Sequence, residues 1–213
     1  MKTDDLISML ATGVQPVPRR AASRRLGWAL ALGLAAALAI MWTEYGVRKD
    51  LVQALFWPML WVKLLYPFAI GCAAYVLVQR LARPGAKVGL SWVGIGTPVL
   101  LVWALAAVAW FGAGPDERMH LLMGETWRSC AFSIALMALP VFVAALVALR
   151  GLPPTRPAWA GAAAGLLAGA AGATVYALHC PEMTAPFLGV WYLLGMLIPV
   201  AVGAAVGPRL LRW

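Results

Sequence analysis

The sequence predicts an all-α integral membrane protein, a six-transmembrane-helix bundle with N- and C-termini cytoplasmic. Three observations carry this expectation. Of the 213 residues, 63% are hydrophobic and only 12% are charged, whereas a soluble domain carries about 25% charged residues. The apolar residues fall into six long runs, and a helix needs about 20 such residues to cross the hydrocarbon core. The basic residues cluster between these runs, and many of the 11 Trp lie near their ends, as interfacial belts require.

The expected spans cover residues 26–43, 56–79, 88–111, 129–149, 158–178 and 187–207. Short connections make successive spans antiparallel neighbours. Orientation follows from the loops. The tail, the second and fourth connections and the C-terminus hold Lys2, Arg19, Arg20, Arg24, Arg25, Arg80, Arg83, Lys87, Arg150, Arg156, Arg209 and Arg212. The opposite side holds Arg48, Lys49, Arg118 and Arg128, with Lys63 inside the second span. Cytoplasmic loops carry the excess of Lys and Arg, so both termini are expected inside the cell. The other face carries Glu44, Asp50, Asp116, Glu117, Glu125 and Glu182 and is acidic. The expected organisation is a cytoplasmic tail over 1–25, a transmembrane domain over 26–208 and a short C-terminus over 209–213, in the bacterial inner membrane.

Composition also excludes classes. Three Cys and two His without a CxxC are too few for a disulfide framework or a zinc finger. The first apolar run starts late and is long enough to span, which argues against a secretory signal peptide. The net charge of +9 reads as topology signals, and no direct nucleic-acid binding is expected. No Ser/His/Asp or Cys/His/Asn arrangement is visible, so the chain is not expected to be an enzyme.

The tail opens with a short amphipathic segment. Thr3 is placed to cap a helix whose first turn holds Asp4 and Asp5, where the helix dipole favours acids. Leu6, Met9 and Leu10 share one face, with Ile7 at its edge, and Gly13, Pro16 and Pro18 end the helix. Such a short helix is marginal alone and suits docking into a groove on a partner. The basic stretch over 19–25 suits anionic lipid headgroups. In the fifth span, Gly161, Gly165, Gly169 and Gly172 recur at three- and four-residue spacing. Small residues let helices approach closely, which puts this span inside the bundle.

Soft ligands gather on the acidic face. His120 is expected in the third connection, Cys130 at the mouth of the fourth span, and His179 and Cys180 in the fifth connection, with Met119, Met123 and Met183 nearby. Thiolates and thioethers suit Cu(I), and imidazole suits copper or zinc, so His120, His179, Glu182 and Met183 are candidate metal ligands. Two thiols in an oxidising compartment can instead form a disulfide if their Cα atoms come within about 7 Å. No cofactor is obligatory on this reading, and copper or another thiophilic metal would be regulatory. Glu182 is placed to accept a hydrogen bond from the His179 imidazole. Lys63 is either an intramembrane functional cation or a snorkelling side chain, the latter favoured, with Glu44 and Glu182 as candidate partners. Cys72 reads as a small packing residue.

The opening Met1-Lys2-Thr3-Asp4-Asp5-Leu6-Ile7, the six spans, and the run Cys180-Pro181-Glu182, Ala185-Pro186-Phe187, Trp191-Tyr192 and Gly195 resemble the NrsF-type anti-sigma factors, negative regulators of the sigma-F class. The resemblance covers essentially the whole chain. It implies an inner-membrane protein that sequesters an extracytoplasmic-function sigma factor and releases it on periplasmic metal or oxidative stress. It implies that Cys130 and Cys180 are the sensing pair and that the tail segment Thr3, Asp4, Asp5, Leu6, Met9 and Leu10 contacts the sigma factor. The tail lacks the His-x3-Cys-x2-Cys element of soluble-domain anti-sigma factors, so their zinc switch is absent. A small polytopic transporter or metal-handling protein is the alternative, although one intramembrane lysine is little charge for an ion path.

Overall fold

The computed structural model describes residues 3–12, 21–83, 85, 88–150, 152 and 154–212. Gly13, Pro16 and Pro18, and the topology charges Lys2, Arg19, Arg20 and Lys87, lie outside the described residues. A short helix α1 (Thr3–Ala11) precedes the bundle, with Asp4 and Asp5 in its first turn. Thr3 is helical there, inside the first turn that it was expected to cap.

Among the described residues, six segments are long and apolar enough to cross a membrane: Ser23–Tyr45, Pro58–Leu81, Ser91–Gly112, Pro115–Arg150, Pro157–Tyr176 and Ala185–Leu210. The first is helix α2 (Ala21–Ile40), which widens into a π turn over Met41–Tyr45. A four-residue helix α3 (Leu51–Ala54) leads to α4 (Pro58–Leu81). Then come α5 (Ser91–Gly112), α6 (Pro115–Met123), α7 (Trp127–Arg150) and α8 (Pro157–Tyr176). The last span starts as α9 (Ala185–Phe187), passes through a π turn over Leu188–Tyr192 and ends as α10 (Leu193–Leu210). Pro58, Pro115 and Pro157 stand in the first turns of their helices, where the missing N–H costs nothing.

Helix α8 is the centre of the bundle. Two thirds (67%) of its span is buried, against 6% for α5 at the periphery. It packs on α10, α7 and α4, and α7 packs in turn on α2. The predicted glycine stripe explains the closeness. A methyl at Gly161 would strike the carbonyl of Gly203, and one at Gly165 would strike that of Pro199. A methyl at Gly169 would lie 2.6 Å from the Met196 carbonyl, and one at Gly172 would lie 2.7 Å from the Ile134 carbonyl. Small residues let backbones touch where lipid gives no hydrophobic drive to association. Gly33 serves α2 in the same way, its missing Cβ lying 2.6 Å from the Val141 Cα of α7.

One departure from expectation concerns the third connection. It holds a helix, α6, started by Pro115 after Gly114 and stopped by Gly124 at φ +54°. Cys72 also departs. It is exposed and lines an apolar groove of about 500 Å³ with Leu30, Phe68 and Tyr75, so it faces outward and does not fill the core.

Candidate functional site

The connections after α2, α6 and α8 meet on the face opposite the termini. The link from α8 to α9, residues 177–184, lies at their centre. The backbone N–H of Arg48 donates to the Leu178 carbonyl at 3.1 Å. His179 Nδ1 lies 2.9 Å from the Gly46 carbonyl oxygen. Thr184 Oγ1 donates to the Leu121 carbonyl at 2.8 Å, and Trp191 Nε1 donates to the Leu122 carbonyl at 2.9 Å. The link is therefore tied to the connection after α2 and to α6, and Trp191 of the π turn that follows adds a second bond to α6.

Glu182 adds the tie to α7. Its Oε1 accepts from the backbone N–H groups of Glu125 (2.7 Å) and Thr126 (3.1 Å) and from Thr126 Oγ1 (3.3 Å). The first turn of a helix has N–H groups without intrahelical partners and a positive dipole end. The Glu125 and Thr126 N–H groups stand just before Trp127, where α7 begins, and Glu182 brings its carboxylate to that positive end from a distant part of the chain. Gly124 makes room for it, since a Cβ there would lie 2.5 Å from Glu182 Oε2.

Cys180 sits within this frame. It and Cys130, in the first turn of α7, are both fully buried, and both are free thiols. They face each other closely enough to interact directly. The Cys130 thiol aimed at it and the Lys63 ammonium hold the Cys180 thiol below its ordinary pKa, against the opposing effect of burial. The surroundings are Ile134, Tyr176, Phe187 and Tyr192, all buried in one apolar cluster with the two cysteines.

Lys63 does not snorkel. It is 0% exposed, and its Nζ donates to the carbonyl oxygens of Cys180 (2.6 Å) and Glu182 (2.7 Å). The ammonium also lies 5.7 Å from the Tyr192 ring centroid, within cation–π range. Glu44 is exposed, and Glu182 meets Lys63 through its backbone, because its carboxylate is spent on α7. Arg48 adds a longer contact to the Cys180 carbonyl at 3.4 Å while pairing with Asp50 at 2.5 Å. That pairing lowers the Asp50 pKa, chiefly through the side-chain hydrogen bond.

The fold thus brings Cys130 and Cys180 together and leaves the other candidate ligands apart. His120 is exposed on α6. His179 bonds the Gly46 carbonyl and not Glu182, and Met183 is half-buried. Among the described residues no group of three or more His, Cys, Asp or Glu side chains gathers at ligating distance. Leu6, Ile7 and Met9 of α1 are exposed, as are Thr3, Asp4 and Asp5; the Leu10 side chain lies outside the described residues.

Residues 10–213 match the family described as negative regulator of sigma F. The chain is 49% identical to the probable anti-sigma-F factor NrsF of Azospira oryzae, with 100% of each chain covered. It is 43% identical to the anti-sigma-F factor NrsF of Caulobacter vibrioides, again with 100% of each chain covered. No solved structure matches it.

Proposed function

Because the chain belongs to the NrsF family, the negative regulators of sigma F, we propose that it holds an extracytoplasmic-function sigma factor at the inner membrane and releases it when a periplasmic metal or oxidant acts on Cys130 and Cys180. The observation that carries this reading is the meeting of the two buried thiols. Distant in sequence, they lie at the junction of α7 with the link before α9.

The excess of basic residues on the terminal face supports a periplasmic position for the thiols. The tail then lies in the cytoplasm, where Asp4 and Asp5 face basic groups of the sigma factor and the Leu6–Met9 face, with Leu10, fills a groove on it. A new bond or a shared metal at the pair draws the start of α7 and the link after α8 into a different arrangement. Helix α7 packs directly on α2, and α2 leads back to the tail. The signal therefore has a short mechanical path to the sigma-binding segment. Moving occupancy from 99:1 to 1:99 takes about 5.5 kcal/mol of preference for the released state. Metal binding of roughly 10 kcal/mol or more is ample for this.

The test is a reporter driven by the sigma factor, in cells carrying the wild type, Cys130→Ser or Cys180→Ser. Both variants should keep the reporter silent and fail to respond to copper or to an oxidant. A normal response in either variant would remove the thiol pair from the mechanism. Deleting residues 1–12 should abolish co-purification with the sigma factor, and binding that survives would move the contact to the cytoplasmic loops.

A further inference from the structure

Beyond its charge near the Cys180 thiol, Lys63 has no role in the switch as described so far, and its placement calls for one. A lysine at membrane depth is costly, and a buried ammonium is ordinarily paired or fully hydrogen-bonded. Among the described residues no carboxylate forms an ion pair with it. Its Nζ hydrogen bonds instead go to the two carbonyls that bracket Pro181, those of Cys180 and Glu182. The residue whose backbone it grips most closely, at 2.6 Å, is the cysteine that faces Cys130. Pro181 fixes its own φ and offers no N–H, so the Cys180–Glu182 turn depends on outside donors. Lys63 comes from α4, which carries neither Cys130 nor Cys180 and none of the partners of the Glu182 carboxylate.

We propose that Lys63 is the positioning residue of the thiol pair: by binding the carbonyl oxygens of Cys180 and Glu182 it fixes the Cys180 turn so that the Cys180 thiol lies against that of Cys130. This rests on the reading that the pair is the sensing element, and it adds α4 to the elements that set how readily the pair reacts. Glu182 anchors the turn to α7 through its side chain, and Lys63 anchors the same turn to α4 through its backbone. The bonds are charge-assisted, which makes them about twice as strong as neutral ones.

The test is the rate of disulfide closure in the full chain, purified in detergent and treated with diamide, a small neutral azo oxidant. In the step, the S–H bonds of Cys130 and Cys180 break and one S–S bond forms. The two electrons and two protons pass to the N=N bond of diamide, which becomes a hydrazine. Closure is read by mass spectrometry after alkylation of the remaining thiols, with Cys72 as internal standard. Lys63→Met keeps an unbranched side chain one atom shorter and removes the donors, and should slow closure by at least about tenfold, equivalent to about 1.4 kcal/mol. Lys63→Arg keeps the charge and the donors, and should restore closure to within about threefold of wild type, a recovery that a merely space-filling role does not predict. Retention of the sigma factor by each variant in the reduced state reports that the bundle is folded. Should Lys63→Met not retain it, Lys63→Gln, with a single amide donor group, takes its place and should close at an intermediate rate.

Closure in Lys63→Met as fast as in wild type, or faster, would overturn the positioning role while leaving the sensing role of the pair intact. Failure of the wild type to form the Cys130–Cys180 bond at any diamide concentration would overturn the sensing reading as a disulfide switch, and the positioning role with it.

Discussion

Glu182→Ala is the perturbation whose size follows most directly from the structure. The substitution removes three hydrogen bonds to one carboxylate oxygen, from the Glu125 and Thr126 amides and the Thr126 hydroxyl. Hydrogen bonds to charged groups contribute about 1.5–3 kcal/mol each when their loss leaves the partner buried and unpaired. Here Glu125 is exposed and Thr126 only partly buried, so water replaces much of what is lost. The favourable meeting of an anion with a helix N-terminus adds about 0.3–1 kcal/mol. A net loss of about 2 kcal/mol results. For a chain of this size each 1 kcal/mol moves the melting temperature by about 2–4 °C, so the variant should melt roughly 4–8 °C lower. The assay is thermal unfolding of the reduced protein in detergent, followed by tryptophan fluorescence. Trp127 and Trp191 lie beside the affected turn with ring centroids 5.4 Å apart and planes tilted by 45°, and they should report its loosening early in the transition. Glu182→Gln, which keeps one acceptor oxygen, should fall between the two. An unchanged melting temperature in Glu182→Ala would refute the claim that this carboxylate caps α7.

Three other expectations follow. Gly165→Leu inserts a side chain where even a methyl would meet the Pro199 backbone; overpacking of this kind costs about 1–3 kcal/mol, and the variant should show reduced yield of folded protein in size-exclusion chromatography. Gly124→Ala meets both a left-handed φ of +54° and the Glu182 carboxylate, so it should reproduce the thermal loss of Glu182→Ala, and the two substitutions combined should be less than additive. The lowered pKa of Cys180 has a definite sign: the deprotonated form is favoured, so its alkylation by a small maleimide should persist as pH falls below the ordinary thiol range, whereas Cys130→Ala, which removes the hydrogen-bond donor that is the principal cause, should move the midpoint upward.

The six spans were legible because apolar length is a direct demand of the bilayer. The glycine stripe of α8 was legible because close helix approach requires small residues at helical spacing, and Gly161 and Gly165 meet the backbone of α10 accordingly. Helix α6 was missed because its residues, from Pro115 to Met123, are too polar and too few to register as a span; Pro115 in its first turn and Gly124 after its end were the available signals. The partners of Lys63 and Glu182 were not legible at all. Both bond backbone groups distant in sequence, and a backbone partner leaves no mark on residue type. Glu182 and His179 are close in sequence, which invited a pairing, yet the chain turns so that His179 points to Gly46 and Glu182 to α7. Cys72 was read as core because cysteine is among the most buried residue types, but α4 is only partly covered (39% of its span), and Cys72 lies on its open side.

The central claim is that chemistry at the two buried thiols controls retention of the sigma factor. Its most direct test is co-purification of the full chain with its sigma factor in detergent, before and after diamide, for wild type and Cys130→Ser. The account predicts a complex that survives in the reduced wild type, dissociates on oxidation, and persists in oxidised Cys130→Ser. A wild-type complex that stays whole while Cys130 and Cys180 are demonstrably joined would contradict it.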